Sequence, residues 1–218
     1  MDVQQEPKVP ASAAGGLRHY PDGRARCGWC GQDPDLLAYH DQEWGRPVRA
    51  EQALFEKLCL EAFQSGLSWL TILRKRPAFR RGFAGFDPEH LARFGPAEVE
   101  RLLADPAIVR NRAKIEATIT NAQALCRLHD RGEDLTSLVW AHAPPPAPRP
   151  RSLDEVPAHT AASEVLATAL RREGFRFVGP TTAYAFLQAM GLVDDHLEGC
   201  WVPPEATGPT GWAGWAPE

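Results

Sequence analysis

Hydrophobic positions recur with a helical period through most of the chain. Between Glu51 and Gln64, Leu54, Leu58 and Ala62 stand at i, i+4 and i+8, and Phe55, Cys59 and Phe63 form the adjacent stripe. Between Arg112 and Leu128, Ile115, Ile119, Ala122 and Cys126 fall on one face. These stripes predict two helices whose apolar faces, with Cys59 and Cys126, enter a packed core, where a free cysteine acts as a small apolar side chain. Asp87-Pro88 and Gly95-Pro96 each set a cap candidate before proline at a first helical position, and 160–172 reads as a further helix. Strict alternation is almost absent, so the predicted fold class is all-α.

The period fails in three places. Residues 1–24, rich in Ala, Gly and Pro, read as a disordered leader, and residues 202–218 as an extended tail of Pro, Gly and Trp. Residues 143–152, "APPPAPRPRS", read as a proline-rich loop inside a single domain spanning 25–201.

Composition narrows the function classes. A chain of 218 residues can bury a substantial core without staples, and its five cysteines match neither the count nor the density of a disulfide scaffold. No stretch approaches the ~20 apolar residues of a membrane helix, and the N-terminus has no charged-then-apolar signal pattern. The expectation is a cytoplasmic protein, monomeric, with no membrane partner. A formal net charge of −4 excludes a protein that coats nucleic acid indiscriminately but leaves room for a local basic face.

Glu61 breaks the pattern of its own helix. It stands seven residues after Leu54 and three after Leu58, on their inward side, where a carboxylate is costly unless it has partners or a task. The alternative is a stripe-edge carboxylate that reaches solvent. Gly66 ends the helix and Trp69 follows, so an acid and a large aromatic can line one pocket.

Cys27-Gly-Trp-Cys30 has the spacing of a thiol–disulfide motif, of half a metal site, or of two unrelated cysteines. The redox reading needs a βαβ context, and the chain offers helices. His40 follows Cys27, and near the other end His196 and Cys200 stand at i and i+4, able to face one ion from one turn. Two cysteines and two histidines are a standard tetrahedral zinc set.

Taken with "RCGW", "DPDLLAYHDQEWG", "LFEKLCLEAFQSGLSWLTILRKR", "IVRNRAKIEATITNA", "GFRFVGPTTAYAFLQAMGLVDDH" and "GC", these spacings give a chain that resembles the bacterial DNA-3-methyladenine glycosylases of type I, within the helix-hairpin-helix glycosylase superfamily. The resemblance runs from Arg26 to Cys200. It implies a structural zinc on Cys27, His40, His196 and Cys200, with Cys30 a bystander. It implies a base pocket in which Glu61 is the recognition carboxylate, Tyr39 its hydrogen-bonding partner and Trp69 the stacking wall, with Trp29 and Trp44 as further aromatics. Where the family often has another tyrosine, this chain has Leu36.

The implied partner is double-stranded alkylated DNA. The implied reaction is hydrolysis of the N-glycosidic bond of 3-methyladenine after the nucleotide is rotated out of the duplex. Gly66-Leu67 is the candidate plug for the vacated stack. Gly179, Thr181 and Thr182, in the hairpin, are candidates to hold a phosphate, although Thr181 replaces the usual second glycine. "RKRPAFRRGF", 74–83, is a further basic cluster, either a phosphate contact or a solvated face. Asp194 stands where the superfamily has a catalytic aspartate and the type I family commonly has asparagine. It is either catalytic or the cap of the turn that positions His196. A zinc-stabilised damage-binding protein without catalysis would use the same pocket.

Overall fold

The computed structural model describes residues 16–204. Two strands, β1 (Leu17–His19) and β2 (Ala25–Cys27), precede nine helices among the described residues. These are α1 (Pro34–Gln42), α2 (Glu51–Gln64), α3 (Trp69–Gly82), α4 (Pro88–Leu91), α5 (Pro96–Ala104), α6 (Arg112–Asp130), α7 (Leu135–Trp140), α8 (Ala161–Arg172) and α9 (Pro180–Ala189).

Most helix starts follow cap chemistry. The carboxylates of Asp33, Asp87 and Asp134 accept first-turn amides of α1, α4 and α7, and Asn111 does so for α6. Thr160 and Ser163 form a reciprocal capping box at α8. Proline occupies the first turn of α1, α4, α5 and α9, where its missing N–H has no intrahelical use.

Helix α2 is buried all round, because α3, α6, α7 and α9 pack about it. Both predicted stripes are therefore core. Cys59 is fully buried, whereas Cys126 is only half-buried, on the α6 face turned to α4, with its thiol toward the Pro88 carbonyl.

Residues 17–24, inside the stretch read as a leader, belong to the fold. Leu17 pairs with Cys27 and His19 with Ala25 in an antiparallel hairpin closed by Tyr20–Arg24. Three-residue strands are too short to show a period, and this pair is held by what it packs against. Leu17 joins a small second core of Cys27, Leu197, Cys200 and Val202. The Trp201 amide donates to the Ala25 carbonyl at 2.8 Å, adding the C-terminal segment to β2. Arg26 donates to both Asp22 and Asp41. Residues 1–15 and 205–218, most of the predicted leader and tail, lie outside the described residues.

Two glycines bring the far segments together. Gly191 (φ +70°) lies so close to the chain at Arg46-Pro47 that a Cβ would stand 2.4 Å from backbone atoms. Gly45 (φ +77°) lies against the His196 ring, which a Cβ would approach to 3.0 Å.

Candidate functional site

One cleft, of about 240 Å³, opens beside the small second core. Its aromatic side comes from Trp29, Tyr39, Trp44 and Trp69, and its acids are Glu61, from α2, and Asp195. Gln64, Leu153, Val156, Ala185 and Gln188 complete the lining. The volume lies below the ~300–1,000 Å³ of drug-sized sites and suits a single base-sized group.

Glu61 is only 6 % exposed, so it points inward rather than to solvent from the stripe's edge. Burial raises its pKa to about 7, against the attraction of Lys57. Lys57 has no exposed surface, and burial lowers it to about 8, against the attraction of Glu61 and Glu43. Its ammonium donates to the Tyr39 hydroxyl at 2.9 Å and lies 4.5 Å from the centre of the Tyr39 ring and 4.2 Å from that of Trp69. The phenol thus accepts from Lys57 and keeps its own proton to donate. Lys57 went unread in the sequence, although Lys57 and Glu61 at i and i+4 were its signal. Tyr39 and Trp69 pack with ring centres 5.1 Å apart. The indole N–H groups of Trp29 and Trp69 are buried without an acceptor among the described residues, and the ring nitrogens of a purine are acceptors of the kind they lack.

Cys27, His40, His196 and Cys200 converge behind the aromatic wall, with all four ligand atoms buried and within 4.8 Å of one another. Cys27 Sγ lies 3.7 Å from His196 Nδ1, and Cys200 Sγ lies 3.6 Å from both His196 Nδ1 and His40 Nε2. A tetrahedral zinc with ordinary bond lengths needs sulfur–nitrogen edges of ~3.6 Å, so the group fits.

The outer nitrogens are engaged as ligand histidines require: His40 Nδ1 is 2.8 Å from Asp41 Oδ1, and His196 Nε2 is 3.1 Å from the Trp44 carbonyl. Cys200 is held well below the usual thiol range, by hydrogen bonding from Cys27 first, then by His196 and His40, while Cys27 is raised. Cys30 stands outside the group, its thiol donating to the Cys27 carbonyl at 3.0 Å. Trp44 joins the two sites, lining the cleft while its ring lies 4.7 Å from that of His196.

Asp194 is not in the cleft. Its Oδ1 accepts the His196 amide at 3.2 Å and its Oδ2 accepts Arg149 Nε at 2.8 Å, so it caps the turn before a ligand. The cleft carboxylate is the next residue, Asp195, whose Oδ2 accepts from the Tyr184 hydroxyl at 2.5 Å and Gln188 Nε2 at 2.6 Å. One position's difference in a turn reverses which side chain faces the cleft, and nothing local in "GLVDDH" reveals it.

The basic cluster on α3 is largely spent inside the molecule. Arg74 pairs with Asp33 and Asp35, Arg76 with Glu43, and Arg80 with Glu56. It reads as structural pairing rather than a phosphate grip.

Leu67, 42 % exposed, stands with Gly66 (φ +83°) in the loop joining α2 to α3. Gly179 precedes α9 without a side-chain cap, so the amides of Thr181 and Thr182 meet no intrahelical acceptor. The hairpin before it is fixed by Asn121, whose Oδ1 accepts the Arg176 amide at 2.6 Å and whose Nδ2 donates to the Arg176 carbonyl at 3.2 Å. Helix α9 thus presents amides at its start and Ala185 and Gln188 to the cleft.

The family model described as methyladenine glycosylase matches residues 29–203. The chain is 46 % identical over 177 residues to DNA-3-methyladenine glycosylase 1 of Escherichia coli (strain K12), covering 80 % of this chain and 95 % of that one. A crystal structure of a 3-methyladenine DNA glycosylase I superposes with a TM-score of 0.79 at 47 % identity, over 81 % of this chain and 98 % of the other. The Staphylococcus aureus enzyme, solved for the structural basis of its 3-methyladenine recognition, gives 0.77 at 34 % identity, over 80 % and 94 %.

Proposed function

The chain belongs to the methyladenine glycosylase family, and from that premise we propose that it is a DNA base-excision repair glycosylase that hydrolyses the N-glycosidic bond of 3-methyladenine in alkylated double-stranded DNA. The observation that carries the reading is the buried Glu61 carboxylate in a cleft walled by Tyr39, Trp29, Trp44 and Trp69.

Methylation at N3 makes the base in DNA cationic. The cleft stabilises that cation twice, through the Glu61 carboxylate and through stacked aromatic faces, and favours it over neutral adenine. Tyr39 donates to the base, and the Trp29 and Trp69 indoles find acceptors in it. A cation is also a good leaving group, so bond breaking needs little acid help. What remains is to stabilise an oxocarbenium-like sugar and admit water. The nucleotide reaches the cleft by rotation out of the duplex, at least cost where damage has weakened its pairing. Leu67 fills the gap, and the Thr181 and Thr182 amides hold a phosphate at the positive end of α9.

The Cys27, His40, His196 and Cys200 group is a structural zinc site. Four protein ligands leave no open position for water, so a bound ion contributes folding free energy and no chemistry.

The test is chromatography of bases released from methylated duplex DNA by the purified chain. Free 3-methyladenine is the expected product. Binding of the damaged DNA with no released base would overturn the catalytic reading in favour of damage recognition alone.

A second expectation concerns pH. Below about 7 Glu61 takes up a proton and the cleft loses that negative charge; above about 8 Lys57 gives one up and the cleft's surroundings grow more negative. Affinity for a permanently cationic dialkylpurine, followed by tryptophan fluorescence, should rise from pH 6 to pH 9. A flat or falling profile would remove Glu61 from base recognition.

A further inference from the structure

Six of the cleft's eleven lining residues stand on α1, α2, α3 and α9, while Trp29, Trp44, Asp195, Leu153 and Val156 stand on short or irregular segments. Leu153 and Val156 line the cleft from the 149–156 segment, the end of the proline-rich loop and the residues just after it, whose regular structure is a short 3-10 turn, Leu153–Glu155. Among the described residues no long helix packs closely on its 3-10 turn. It is pinned instead to the C-terminal segment that carries His196 and Cys200.

Arg149 makes two of the pins: its Nε donates to Asp194 Oδ2 and its Nη1 to the Val202 carbonyl, both at 2.8 Å. The Glu198 amide donates to the Pro150 carbonyl, also at 2.8 Å, as a third. The Arg149 side chain is only 13 % exposed, so this ion pair is partly shielded from solvent. Arg151 closes the turn on Glu155. Leu153 then packs on Cys27, Leu197, Cys200 and Val202 while also facing the cleft.

We propose that 149–156 is the size-selecting wall of the cleft: Leu153 and Val156 limit the N3 substituent a bound base can carry, and Arg149 is the positioning residue that sets where the wall stands. The proposal rests on the base-binding reading above. Wall position matters because one added or missing methylene-sized contact in an apolar pocket changes discrimination by about 10–200-fold.

The experiment compares binding of free 3-methyladenine and 3-benzyladenine to the full metal-loaded chain, using the fluorescence of the cleft tryptophans. The wild type should prefer the smaller base. Leu153→Ala should move the affinity ratio about tenfold toward the larger one. Arg149→Met should move it in the same direction, and the double variant should move it little beyond Leu153→Ala, since both changes act on one wall.

If Arg149→Met does not fold, Asp194→Asn takes its place, keeping an acceptor for the His196 amide while weakening the Arg149 pair, with a smaller shift of the same sign expected. An unchanged ratio in Leu153→Ala overturns the proposal. So does an Arg149 or Asp194 variant that weakens both bases equally while losing metal. A wild type that binds no 3-methyladenine overturns the base-binding reading itself, and this one with it.

Discussion

Glu61→Gln is expected to lower kcat/KM for 3-methyladenine release by about 10²–10³, the usual effect of removing one preorganised electrostatic contact from a water-poor site. Glutamine keeps the shape and an acceptor oxygen but not the charge, so the loss reports charge recognition. The fold should tolerate the change. Glu61 and Lys57 are a buried pair whose charged forms burial already disfavours. With Glu61 neutral, Lys57 loses the attraction that raises it and gives up its proton more readily, so no lone charge need stay buried. Bound metal and Tm should therefore remain close to wild type while turnover falls. Steady-state kinetics beside a melt and a metal assay check this. Activity within threefold of wild type would show that stacking, not charge, selects the base.

The parts of this molecule legible in sequence are those fixed by spacing along one element. Glu61 showed itself as a charge on the apolar side of α2, and His196 and Cys200 as two ligand types four residues apart, although the structure joins them through an irregular turn with Gly199 at φ +83° and not through a helix. Lys57 did not, although it is as deeply buried, because a long aliphatic stem ending in an amine is ordinarily expected to reach solvent. The α3 arginines misled for the opposite reason. Their partners Asp33, Asp35, Glu43 and Glu56 lie on other elements, so a local reading saw a basic run where the fold has ion pairs. Asp194 and Asp195 could not be told apart without the turn between α9 and His196. Leu153 and Val156 were invisible, since the short stretch after a proline-rich loop carries no period and is held in place through Arg149 and Pro150. The hairpin of β1 and β2 was lost to the leader because its stability lies in Leu17, Arg26 and Trp201, which act through tertiary contacts.

The largest stability effect should come from the metal group. On the zinc reading, Cys200→Ser removes a thiolate that would bond the C-terminal segment to Cys27 and β2 through the ion, and leaves His40, His196 and Cys27 without their fourth partner. Structural zinc sites contribute about 10–16 kcal/mol of apparent binding free energy in small domains. Here the main core of α2, α6 and α9 is independent of the clip, so only part of that is at stake for the whole fold. A loss of about 4 kcal/mol, or a Tm lower by about 8–16 °C, is expected together with loss of bound zinc. Cys27→Ser should behave alike. Cys30→Ser should keep zinc, because its thiol bonds the Cys27 carbonyl and neighbours Tyr20 rather than the ligand group. Chelation of the wild type should reproduce the lowered Tm, and turnover should fall with the fold, not ahead of it. Trp44, whose carbonyl holds His196 and whose ring lines the cleft, gives the optical readout: its emission should shift as zinc leaves. Zinc retained in Cys27→Ser but lost in Cys30→Ser would exchange the two assignments. Activity lost with the melt and emission unchanged would give the ion a part in the chemistry.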